Sequence, residues 1–164
     1  MTNKTYRNNG AIGAILDEYE RAVQDLKDVL KTVTSAELVA IVDDKTNDTD
    51  CRSIQTILTH VVRSGYGYAT YIRRKQGEIL NFPERQFLFS ISDYNDALDM
   101  MFAYNVQLFD DYPDVPLEEF DSDGKVLVNW GQLYDIEQLM EHAIVHILRH
   151  RRQIERFLMK LKTL

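Results

Sequence analysis

The sequence is short of cysteine, proline and positive charge, and it has no long apolar run. Its one cysteine, Cys51, rules out an internal disulfide framework. With no histidine close by in sequence, Cys51 reads as a small residue at a helix start and not as a nucleophile. Its three prolines, Pro83, Pro113 and Pro116, fall between periodic segments and interrupt none of them. No apolar stretch approaches the ~20 residues of a membrane-spanning helix, so no membrane partner is expected. The polar opening, Met1 to Asn9, lacks the apolar centre of a secretory signal, and a cytoplasmic location is expected. Lys and Arg number 19 against 26 Asp and Glu, a net charge of −7. That balance argues against nucleic acid as a partner.

What is present is helical periodicity. At 164 residues with 45% hydrophobic content, the chain can bury one substantial core, and residues 1–164 are expected to form one domain. Ile12, Leu16, Tyr19, Val23, Leu26, Leu30 and Val33 step by threes and fours, with Asn8 or Asn9 as cap. A short helical piece follows Ser35, whose hydroxyl suits an N-cap. Residues 43–50 are polar and read as a loop. A second long helix is expected from about Arg52 to Gly77, with Gly65 inside its apolar stripe at a close helix contact.

A third helix is expected from about Ser92 to Tyr112, and a last one from about Asp135 to Lys162. Asp135 and Gln138 have the spacing of a capping box. Between these two helices lies a long connection. Its Asp121-Ser122-Asp123-Gly124 is a turn signal, lacking the spacing and terminal glutamate of a calcium loop. Val126-Leu127-Val128 suggests a small hairpin there. The fold expected is all-α: a four-helix bundle with a long connection before the last helix.

Histidine is scarce, and its placement is informative. Of four, three lie in the last helix, as His142, His146 and His150. Residues four apart project from one helical face, so His146 and His150 can both reach one metal ion. On a helical wheel His150 lies within about 40° of the apolar centre, His146 about 80° away and His142 about 120° away. Two adjacent neutral imidazoles in an apolar interior are hard to satisfy without a shared ion or ordered water. His60 lies about 130° from the stripe centre of the second helix. Periodicity alone reads it as a surface or hydrogen-bonded histidine.

These residues carry a resemblance. His146-Ile147-Leu148-Arg149-His150-Arg151-Arg152-Gln153 resembles the His-x-x-x-His-Arg-x-Gln pattern on the last helix of the DinB-like (DinB/YfiT) metal-dependent four-helix-bundle proteins. The histidine those proteins carry on the second long helix matches His60, and the likeness in helix order covers most of the chain. Arg152 departs from the pattern, since many members have glycine there. His142 is not a usual ligand in the family.

The resemblance implies a metal site of His60, His146 and His150. Three nitrogen ligands leave one position open, as in a catalytic site. It implies a divalent ion, zinc or nickel first, although imidazole suits copper and iron as well. It also implies a thiol-dependent S-transferase-type activity on a small electrophilic substrate, with a low-molecular-weight thiol as partner, and a homodimer. The alternatives are a hydrolase using metal-bound hydroxide and a noncatalytic, stress-related metal-binding scaffold.

Further candidates surround these ligands. Tyr71 shares the His60 flank and is a candidate proton donor. Asn105 sits in the apolar stripe of the third helix, bonding either the site or a neighbouring helix. Gln153 and Glu141 are candidate partners of the ligands. Trp130 and Tyr134 suit the mouth of the site. Arg149, Arg152, Arg156 and Lys160 make a basic helical face, expected to be solvated, paired with acids such as Asp17, Glu18 and Asp25, or in a subunit contact.

Overall fold

Apolar stripes become helices wherever the sequence places them. The computed structural model describes residues 5–163; the first four residues of the polar opening, and residue 164, lie outside it. Helix α1 spans Gly10–Leu30, α2 Ser35–Val39, α3 Ile54–Lys75, α4 Ile91–Asp111 and α5 Ile136–Leu161. Strands β1, Val126–Leu127, and β2, Leu133–Tyr134, form a two-stranded antiparallel sheet, with Val126 opposite Tyr134 and Leu127 opposite Leu133. The described residues are thus mostly helical. No helix among them is long and apolar enough to cross a membrane.

Each long helix packs against two others: α1 against α4 and α5, and α3 against α4 and α5. The stripes meet in one core. Leu26, Leu30, Ile57, Leu58, Ile72, Leu98, Leu139 and Ile154 are fully buried in it. Each such side chain contributes roughly 1.5–3 kcal/mol.

Caps set the helix starts. The Ser53 hydroxyl accepts from Thr56 N at 3.1 Å, and Thr56 Oγ1 accepts from Ser53 N at 3.0 Å, opening α3 two residues later than expected. Ser90 Oγ accepts from Asp93 N at 3.0 Å and opens α4 at Ile91. Asp135 accepts from Gln138 N at 2.8 Å and Gln138 Oε1 accepts from Asp135 N at 3.1 Å, completing the expected box at α5. Two caps differ from expectation. Thr34, not Ser35, caps α2, because Thr34 is the extended residue whose oxygen reaches Glu37 N. Asn9 occupies the N-cap of α1 without a side-chain cap bond.

Two contacts lock α3 to α4. A Cβ on Gly65 would collide with the Met101 thioether, so glycine is what permits the close approach. Beside it, Asn105 Nδ2 donates to the Gly65 carbonyl at 3.2 Å and to the Met101 carbonyl at 2.9 Å. Farther along, the Tyr94 hydroxyl donates to the Gln55 carbonyl at 3.1 Å and accepts from Leu88 N at 3.2 Å, tying the 80–90 connection to both helices.

The expected hairpin forms, and Gly131 turns it in the left-handed region at φ 85°. The turn signal at Asp121 becomes a 3-10 turn, Ser122–Gly124, with Asp121 accepting from Asp123 N at 3.2 Å. The 43–50 loop ends in a second 3-10 turn, Thr49–Cys51.

Replacing Asp135 with alanine removes the cap of the helix that carries two of the histidines. The expected loss is about 1 kcal/mol of folding stability, read as a lower urea midpoint with an unchanged m-value. An unchanged midpoint contradicts the capping role.

Candidate metal centre

The α3–α5 packing brings together His60 from one helix and His146 and His150 from the other. His146 and His150 are buried, at 4% and 6% exposure, and His60 is half-buried. His60 Nε2 lies 2.9 Å from His146 Nε2, and His150 Nε2 lies 3.2 Å from the same atom. One candidate ligand atom from each residue lies within 4.8 Å of the others. Nitrogens bound to one tetrahedral ion at ~2.0–2.1 Å stand about 3.3 Å apart, so the three rings suit one shared ion.

Their outer nitrogens explain why the inner ones are available. His60 Nδ1 lies 3.2 Å from Asp50 Oδ2, and a carboxylate can only accept. His150 Nδ1 lies 3.1 Å from Gln153 Oε1, which also accepts. Each ring therefore carries its proton on Nδ1 and turns a lone pair inward. His146 Nε2 can offer at most one proton to these two lone pairs. A cation in their midst satisfies every inward lone pair at once.

The electrostatics agree with neutral rings. Burial lowers His60 below the ordinary imidazole value, against an opposing pull from Asp50 and Asp48. Burial, together with the neighbouring His150 and His60, pushes His146 down to about 2. Burial and His60 push His150 down to about 4, with the Gln153 hydrogen bond opposing. Neutral imidazole is the form that binds metal.

A cavity of about 510 Å3 opens beside the triad, a size that suits a small-molecule ligand. His60 and His146 form part of its wall, with Tyr68, Tyr71, Trp130 and His142 supplying aromatic surface and Arg63 and Arg149 positive charge. Trp130 stacks on His142 with ring centroids 5.5 Å apart. The Tyr71 hydroxyl accepts from Asn129 N at 2.8 Å, so the hairpin holds this side chain in the wall.

The candidates from sequence divide accordingly. Tyr71 and Trp130 line the cavity, and Gln153 positions His150. His142 joins the wall, not the histidine cluster, and its Nδ1 lies 3.4 Å from the Tyr134 hydroxyl. Asn105 lies outside the cavity lining, where it fastens α4 to α3. Glu141 lines a separate shallow depression, and it is Asp50 and Gln153 that orient the ligands. The Cys51 thiol donates to Asp48 Oδ2 at 3.3 Å and approaches Gln153 Oε1 at 3.8 Å, which links it indirectly to His150. Burial raises its pKa, so thiolate is disfavoured.

Asp50 is the residue that sequence reasoning missed, because residues 43–50 read as plain loop. Its signal was an acid-rich turn just before the helix bearing His60, combined with the need of a ligating histidine for an outer acceptor. No family model matches the chain, and no curated protein matches it.

The lowered histidines give the metal-free protein a pH dependence. An unfolded histidine titrates near 6.5, whereas His146 and His150 in the fold hold out to about 2 and about 4. Above pH 6.5 both states are neutral and nothing changes. Below it the unfolded chain takes up protons that the fold refuses, so stability falls as pH falls. Each such histidine contributes a slope of about 1.4 kcal/mol per pH unit well below pH 6.5. Urea denaturation at pH 7.5, 6.5, 5.8 and 5.2 checks this before most carboxylates titrate, and a flat profile refutes it.

Proposed function

We propose that this chain is a metal-dependent enzyme of the DinB-like type, a four-helix bundle in which His60, His146 and His150 hold one divalent ion. The reaction proposed is the transfer of a low-molecular-weight thiol onto a small electrophilic substrate. The observation that carries the metal reading is the convergence of three Nε2 atoms, two with tautomers set by Asp50 and Gln153. Further support comes from the ring of neighbours formed by the four long helices, and from the match of His60 and the His146–Gln153 segment to the family pattern.

When bound, the ion would supply Lewis-acid activation of a thiol or of water at its open position. The chain's own groups do the rest. Asp50 and Gln153 hold the Nδ1 protons of His60 and His150, keeping both rings neutral and in register. Tyr68, Trp130 and His142 present apolar ring surface to a substrate and restrict water. Tyr71, its oxygen already accepting from Asn129 N, keeps its own proton for donation to a leaving group or developing negative charge.

Metal analysis of purified protein should find close to one divalent ion per chain. Replacing any one of the three histidines with alanine should abolish stoichiometric binding. A protein that binds none of the first-row divalent ions overturns the proposal.

Asp50→Ala should weaken metal binding about 10–100-fold in a competitive chelator titration. An unchanged affinity removes Asp50 from its positioning role.

A panel of small electrophiles, assayed with and without added thiol, tests the reaction class. Thiol-dependent turnover is expected. Turnover indifferent to thiol selects a hydrolase, and none at all from metal-loaded protein selects a binding scaffold.

A further inference from the structure

The basic face of α5 is exposed, as expected, but among the described residues it is not paired with acids. Arg149, Arg152, Arg156 and Lys160 follow one side of the helix and line a cleft of about 330 Å3 with Asp43, Gln153 and Phe157. Arg151, one residue off this face, pairs with Asp25 Oδ2 at 3.1 Å and Glu155 Oε1 at 3.5 Å. Lys27 is likewise neutralised by Asp99 at 2.5 Å. Among the described residues, none of the four cleft cations forms an ion pair, although acids exceed bases by seven in the whole chain. Asp43 is the one carboxylate in the lining, and its Oδ1 already accepts from Lys45 N at 3.2 Å and Thr46 N at 3.1 Å.

We propose that this cleft binds the oxyanion group, clustered carboxylates or a phosphate, of a small molecule. Four cations without an ion-pair partner, Lys160 resting over the Phe157 ring, repel one another, and an anion among them offsets that repulsion and gains charge-assisted hydrogen bonds. Guanidinium forks suit both carboxylate and phosphate. The cleft volume suits a small charged group and not a nucleic-acid backbone, whose footprint would need positive charge spread well beyond it.

Arg149 borders both this cleft and the triad cavity, and Gln153 both lines the cleft and holds His150. A molecule anchored by its anionic end on Arg152 and Arg156 can extend past Arg149 toward the histidines. This extension rests on the function proposed above; the anion site itself does not.

The test is an NMR titration of the full chain with inorganic phosphate and, separately, with succinate, both at constant ionic strength. Shifts are expected to cluster at residues 149–160 and around Asp43, saturating with one site. Arg152→Gln with Arg156→Gln should weaken binding about tenfold or more, whereas the lysine pair at the same positions should retain most of it. The stronger of the two anions names the oxyanion class.

His60→Ala should leave the anion site intact, which separates failure of the metal reading from failure of this one. No saturable binding, shifts confined to the histidine cavity, or an unchanged affinity in the glutamine pair each overturns the proposal.

Discussion

Two inward lone pairs and at most one proton define the centre of this molecule. Imidazole is tolerable in an apolar core when each of its nitrogens has a partner. Here Asp50 and Gln153 satisfy the outer nitrogens of His60 and His150, and in doing so they fix what the inner nitrogens must be. The fold does not scatter this polarity. It gathers it onto His146 Nε2, between two lone pairs at 2.9 and 3.2 Å. Helix packing, the acid-bearing turn before α3 and the aromatic wall all gain their meaning from that one point.

Specificity is distributed differently. The three histidines sit on long helices, where packing on both sides leaves little freedom of position. The cavity wall combines α3 and α5 with connections: Phe82 and Pro83 in the 76–90 segment, and Asn129, Trp130 and Gln132 at the hairpin. The 43–51 loop contributes Asp50, which is shared between His60 and the guanidinium of Arg85. Long helices thus carry the histidine cluster, while connections complete the cavity beside it.

The helices, the α5 capping box, the Gly65 contact and the hairpin were legible because each rests on local pattern: stripes of three and four, a three-residue cap spacing, a glycine within a stripe, a β-prone triplet. His146 and His150 were legible for the same reason, being one turn apart. His60 was legible only through the family resemblance, because a wheel centred on one apolar stripe leaves out that α3 faces both α4 and α5. For Asn105 the sequence left two roles open, and the structure selects the bond to the backbone of a neighbouring helix. Asp50 and the cavity wall beyond Tyr71 and Trp130 were out of reach because their partners are distant in sequence. Asp50 meets Arg85, and Tyr71 meets Asn129, only after the long helices have packed.

That last contact has a consequence for how the molecule opens. The base of the hairpin is buried, with Val126 and Val128 in the core, while its tip touches the helical body through a bond from Asn129 N to Tyr71 and through the Trp130 ring, edge-on to Tyr71 and stacked on His142. Its two strands are only two residues each, and Trp130 and Leu133 are exposed. Residues 129–133 at the tip are all exposed, and a stretch with so few buried apolar contacts opens at a small fraction of the global free energy. His146 and His150 are buried on a long helix, whereas Asn129 and Trp130 in the wall beside them are exposed. Access to the cavity can therefore turn on movement of the hairpin tip, while the helices that carry the histidines remain packed.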